Sequence, residues 1–328
     1  MKTLHAFVAP LLLASSLALA EPPVTFTAGT SISIPASAGR FDILRLDSKR
    51  HRLLGAHEGD KTEDCFDLSS GKLIGRIKVG AAVDTAMDPD SKRYYVSVQD
   101  AQRVAVLDAA SLKEIGYVKV DGPTDAILYE PANHRVYVTH DDGTNVWVID
   151  PAALKIVGSV EVPGAPEFME YDPSADRIYL NIKTKDSVVA IDPAAGKVVA
   201  TWPTAPAVSP HGIALDPSHH LIFVAGANGK LVALDSTSGK VQATADIAQR
   251  VDQLAYDPKA ALLFAAGGNT MTVIRVSGTT LSAAGEIALA PAARNVAVDA
   301  ASGAVWTTSS DGSSSFAKSW MVSKAPTP

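Results

Sequence analysis

The feature that most constrains this chain is an internal period. An acidic residue closing a short apolar segment recurs at Asp47, Asp88, Glu130, Asp172, Asp216, Asp257 and Asp299, at spacings of 41, 42, 42, 44, 41 and 42 residues. Seven residues after each acid stands a bulky apolar side chain: Leu54, Tyr95, Tyr137, Tyr179, Phe223, Phe264 and Trp306. The five internal repeats follow the acid with proline, whereas the terminal ones carry Ser48 and Ala300. A period of this length marks an array of supersecondary units, none able to bury its apolar face alone, and atypical end units are what such arrays show.

Within a repeat the segments are short, rich in Val, Ile, Leu and Tyr, and bounded by turn residues, as in Val-Trp-Val-Ile-Asp at 146–150 and Leu-Val-Ala-Leu-Asp at 231–235. These read as strands, about four per repeat. A second series, Asp67, Asp108, Asp150, Asp192 and Asp235, reads as turn-opening: an Asp side chain can bond the turn backbone, and the glycine that follows in three repeats, Gly71, Gly196 and Gly239, can take positive φ. Leu112 and Leu154 depart from the glycine rule. Seven such repeats predict an all-β, seven-bladed β-propeller of four-stranded blades. The last repeat supplies three strands, and residues 25–35 resemble the outer strand at 281–289, so the N-terminal strand is expected to complete the last blade and leave no edge at the seam.

Residues 1–20 carry Lys2, an apolar stretch and Ala-Leu-Ala at 18–20, the pattern of a cleaved secretory signal. The stretch is short for a membrane span and contains Pro10, and no later segment approaches spanning length. The expected product is a periplasmic or secreted single domain, residues 21–328, acting as a monomer. Cys65 is the one cysteine, so no intramolecular disulfide can form, and its strand-like setting predicts a buried structural thiol. The formal charge of −6, with no basic block, argues against nucleic acid as a partner.

The blade pattern resembles a known family. An apolar strand, acid-Pro, Tyr-Val-Thr-His at 137–140 and Val-Trp-Val-Ile-Asp at 146–150 are similar to the YVTN-repeat (YncE-like) exported bacterial propellers, a likeness covering essentially all of residues 21–328. The resemblance implies the fold and export, and no particular reaction. The Asn usual after Tyr-Val-Thr in that family is replaced here by His57, Val98, His140, Ile182, Gly226, Gly267 and Ser309.

A ligand commonly enters a propeller where the inner strands begin and seven loops converge. Five residues before each acid the repeats carry Asp42, Val83, Asp125, Glu167, His211, Asp252 and Arg294, with Asp84 one residue from the equivalent position. Apart from Val83, these are the candidate ligand-binding residues. Like charges crowded at one mouth raise each other's pKa unless a cation joins them. Asp125, Glu167 and Asp252 could supply oxygens to a divalent metal such as calcium, and His57 and His140 could add nitrogen ligands. The alternative is a solvated acidic rim, and the acidic segment 57–64 reads as a solvated hairpin tip. Arg45 and Glu170 occupy matching inner-strand positions that could face the channel. No G-x-S-x-G, H-E-x-x-H, G-x-x-x-x-G-K or strand-to-helix G-x-G-x-x-G is present. The expected function is therefore binding of a small ligand or protein partner at the loop face, without catalysis. One alternative is a lactonase-like metal-dependent hydrolase with His211 as general base, and another is the propeller subunit of a quinone-dependent dehydrogenase.

Overall fold

The computed structural model describes residues 23–324, apart from positions 38, 89, 91, 291–292 and 311–313. The expected signal at residues 1–20 lies outside the described residues. Seven four-stranded antiparallel sheets follow one another around a ring. Blades 1 to 6 span 44–78, 82–119, 124–161, 166–203, 210–246 and 251–288, each with its strands in chain order from the centre outward. Blade 7 combines Ala297–Asp299, Ala304–Ser310 and Ser315–Lys324 with Val24–Ile34, which pairs from Val24↔Lys324 to Ile34↔Ser315. The N-terminal strand thus closes the ring as its sequence likeness to an outer strand predicts.

The two repeat series explain the blades. The residues seven positions after each acid are all buried, from Phe223 at 0% to Trp306 at 4% exposure, because they fill the space where one blade packs on the next. The acids themselves hold turns and neighbours: Asp172 accepts the Ser174 amide at 2.8 Å, while Tyr94 of blade 2 donates to Asp47 of blade 1 at 2.7 Å and Tyr256 of blade 6 to Asp216 of blade 5 at 2.8 Å. The second Asp series accepts the amide three residues on, as in Asp67–Ser70 at 2.6 Å and Asp108–Ser111 at 2.7 Å.

The residue after that bond is left-handed whether or not it is glycine: φ is +64° at Gly71 and +61° at Gly196, and also +55° at Leu112 and +52° at Leu154. The leucines gain a contact in exchange for the strain. Leu112 lies against Gly75 of blade 1 and Leu154 against Gly116 of blade 2, so closely that a Cβ on either glycine would come within 2.8 and 2.9 Å of them.

Cys65 is buried, and burial pushes its thiol pKa up to about 12, the state of an inert packing group. The segment 57–64 departs from a solvated tip. Glu58–Asp60 form a single 3₁₀ turn there, but Thr62, Glu63 and Asp64 belong to the buried strand Thr62–Asp67.

Candidate functional site

The inner strands explain how side chains reach the channel. Each of blades 2 to 6 has a register shift at the start of its inner strand, between Ala82 and Asp84, Thr124 and Ile127, Pro166 and Met169, Pro210 and Ile213, and Val251 and Gln253. Such a bulge re-aims the residue it contains. Asp125, Glu167, His211 and Asp252 occupy these positions, and Val83, its blade 2 counterpart, is buried. Together with Asp42 and Arg294 from the strandless leads into blades 1 and 7, these four line one cavity of about 230 Å³ at the mouth.

Asp84 does not join them. Its carboxylate is fully buried below the mouth, where it takes a bidentate pair from Arg45, Nε at 2.8 Å and Nη2 at 2.9 Å, and accepts the Ile127 amide at 3.1 Å. The one-residue offset that separates it from the ring in sequence turns it away from the mouth in space. Arg45 also donates to Glu170 at 3.1 Å, so the pair expected to face the channel does so as an ion pair.

A second ring lines the mouth that the sequence reading passed over. Asp141, Lys183, Ala227 and Gly268 stand eleven residues after their anchor acids, and all four face the mouth cavities. At the tenth position, one residue earlier, alternation along the second strand turns side chains into the sheet packing. His57 and His140 stand there, and neither lines the cavity. His57 is fully buried, stacks on Phe41 with ring centroids 3.8 Å apart, and its Nδ1 lies 2.7 Å from Asp64 and its Nε2 3.0 Å from the Gly39 carbonyl. His140 stacks on Trp147 at 4.6 Å with Nδ1 2.9 Å from the Asn145 amide oxygen.

Charge at the mouth is partly compensated. Lys183 Nζ lies 2.8 Å from Glu167 and 3.1 Å from Asp141; Arg294 lies 2.8 Å from Asp252 and 3.2 Å from Asp42. His211 donates Nδ1–H to the Ser209 carbonyl at 2.8 Å, which leaves Nε2 facing Glu167 at 3.8 Å. Asp125 makes no hydrogen bond or ion pair with any described residue and stays close enough to Glu167, Asp42 and Asp141 to feel their charge. Burial, reinforced by those neighbours, pushes its pKa well up, and burial likewise raises Asp42 to about 7 and lifts Glu167. Counting Asp42, Asp125, Asp141, Glu167 and Asp252 against Arg40, Lys183 and Arg294, with His211 neutral, the formal charge of the cavity is −2.

Among the described residues no three His, Cys, Asp or Glu side chains come together as a metal ligand set. At the mouth Lys183 and Arg294 lie on Glu167 and Asp252, two of the three candidate carboxylates.

Fold and site together define a closed seven-bladed propeller with an acidic, partly ion-paired mouth. The chain belongs to the family described as outer membrane protein assembly factor BamB, whose sequence model, PQQ_2, matches residues 60–319. That match corrects the resemblance to YVTN-repeat propellers: both are blade repeats, but the family is the BamB one. A search of the curated proteins finds no match. Among solved structures, the Kuenenia stuttgartiensis hydrazine synthase is similar over 90% of this chain and 98% of that chain, at 16% identity and a TM-score of 0.76. A chain of the mitotic checkpoint complex is similar over 98% of both, at 13% identity and a TM-score of 0.79. At such identities the likeness is one of fold.

No helix of the described residues is long and apolar enough to cross a membrane.

Proposed function

We propose that this chain is an exported, non-catalytic propeller that binds a cationic group, presented by a small ligand or a protein partner, at its loop-face mouth. The observation that carries this reading is Asp125: a carboxyl group on a cavity of net negative formal charge, without hydrogen bond or ion pair among the described residues. A cation arriving there relieves the mutual repulsion of Asp125, Glu167 and Asp42. Family membership supports a binding role, since the family is described as an assembly factor. Residues 1–20 read as the export signal, and N-terminal sequencing of protein recovered from cells tests this by finding Glu21 first.

The quinone-dehydrogenase reading has the family model's PQQ_2 label in its favour. At the mouth a pyrroloquinoline quinone, a polycarboxylate, would meet five carboxyl groups against three cations, Arg40, Lys183 and Arg294, with the rings of Phe168 and His211 for stacking, a lining that favours a cationic group over it. Calorimetry with tri-alanine amide, which carries one ammonium and no carboxylate, tests the cationic reading. Binding to the wild type that falls about ten-fold or more in Asp125→Asn is expected, in line with loss of a charge-assisted contact. Equal binding by the two proteins, or none by either, rejects it.

A further inference from the structure

The acidic cavity does not end at the acids. His211, Asp252 and Arg294 also form one wall of a second cavity of about 480 Å³, which extends over blades 5 to 7. Arg250 and Asn269, both exposed, line it as well. The Arg250 guanidinium has no acidic partner among the described residues, and the Asn269 side-chain amide has no hydrogen bond. Asp252, the nearest carboxylate in the chain, is held by Arg294 at 2.8 Å.

The backbone sets this arrangement firmly. Arg250 and Asn269 are left-handed, with φ of +56° and +65°, and both loops are tied down by main-chain bonds: Arg250 N–H to the Ala227 carbonyl at 3.1 Å and Leu289 N–H to the Asn269 carbonyl at 2.9 Å. The adjoining cavities therefore carry a carboxyl group without hydrogen bond or ion pair, Asp125 of blade 3, and a guanidinium without an acidic partner, Arg250 at the start of blade 6, while Lys183 with Glu167 and Arg294 with Asp252 are paired in the same walls. An acidic and a basic group, each unpaired in adjoining cavities, are complementary to a ligand that carries an ammonium and a carboxylate. The larger volume, 480 Å³, falls in the range of small-molecule pockets, and the smaller, 230 Å³, adjoins it.

We infer that the mouth selects a dipolar ligand, a short peptide with free termini, whose ammonium meets Asp125 and whose terminal carboxylate meets Arg250 and Asn269. The inference rests on the cationic reading above and adds the anionic end. Guanidinium recognises a carboxylate through two parallel N–H donors, and the Asn amide supplies a third.

The test is calorimetry with three probes: tri-alanine, tri-alanine amide and N-acetyl-tri-alanine. Tri-alanine is expected to bind about three- to ten-fold tighter than its amide to the wild type, a charge-assisted contact's worth. Arg250→Gln, a substitution in an exposed side chain, should erase that difference between the two probes. Tri-alanine and its amide binding equally to the wild type would overturn the dipolar inference and leave the cationic reading standing. An acetylated peptide binding as tightly as the free one overturns the ammonium end, and no binding by any probe overturns both.

Discussion

The guanidinium of Arg45 in blade 1 meets Glu170 of blade 4 at 3.1 Å while its other edge holds Asp84 of blade 2. One side chain thus joins three blades across the channel, below the mouth. Asp84 is fully buried and Glu170 is 31% exposed by side chain, so the two halves of the contact have different worth. Removing Arg45 strands a buried carboxylate, and Arg45→Ala is expected to cost about 3 kcal/mol. Glu170→Gln should cost less than about 1 kcal/mol because water screens that side. Urea unfolding of both variants checks the order; equal losses would contradict it.

Glu63 is a carboxyl group fully buried in blade 1 with neither oxygen hydrogen-bonded. Burial, with Asp64 and Asp84 nearby, pushes its pKa well up. Below about pH 4 the group is protonated in both folded and unfolded chains and has no effect. As pH rises further the unfolded chain loses the proton and the fold keeps it, so the group's contribution to stability declines until the folded pKa is passed. Glu63→Gln mimics the neutral form at every pH. Its melting temperature is expected to exceed the wild type's by a few degrees at pH 7 and to match it at pH 4. A variant no more stable at pH 7 would show that Glu63 is ionised in the fold.

Asp42 titrates near neutrality, at about 7, because burial outweighs the opposing pull of Arg294. Raising the pH from 6 to 8 removes its proton and adds negative charge to the mouth. Affinity for the protonated form of tri-alanine amide, corrected for the loss of its own ammonium proton near pH 8, should therefore increase over that interval, by about two- to five-fold for a partly screened charge. Asp42→Asn should flatten the profile, and an unchanged slope in the variant would place the titration elsewhere.

Ring closure depends on Gln253 as well as on the N-terminal strand. From blade 6, its Oε1 accepts the amides of Leu44 in blade 1 and Val296 leading into blade 7, each at 3.2 Å, and its Nε2 donates to the Leu44 carbonyl at 2.8 Å. Gln253→Ala leaves these buried backbone groups unsatisfied and is expected to cost about 3 kcal/mol. Gln253→Glu should also destabilise, since a carboxylate has no donor for the Leu44 carbonyl. Thermal melts of the two variants decide the matter.

A chain beginning at Ala38 lacks the whole strand Val24–Ile34 and exposes the edge of Ser315–Lys324. Its melting temperature should fall by about 10 °C, with association of the bared edge visible in light scattering. An unchanged melting temperature would mean that the seam closes without that strand.

The blade architecture was legible because its signals are local. The anchor acids, the residues seven positions on and the turn-opening Asp series repeat along the chain, and each does its work within a blade or against the next one. The mouth was legible in part for the same reason: the bulge that points Asp125, Glu167, His211 and Asp252 inward recurs at one register. Family membership was not, since short strands and acid-bounded turns suit more than one family of propellers. Nor was the pairing of charges. Lys183 with Glu167, Arg294 with Asp42 and Arg45 with Glu170 join residues up to 252 positions apart, and no period along the chain encodes which facing blades meet. The sequence by itself determined the ring, its closure and which register faces the channel. Only the tertiary structure decided which charges cancel and which, Asp125 and Arg250, are left for a ligand, because Coulomb attraction acts through the distance across the ring and not along the chain.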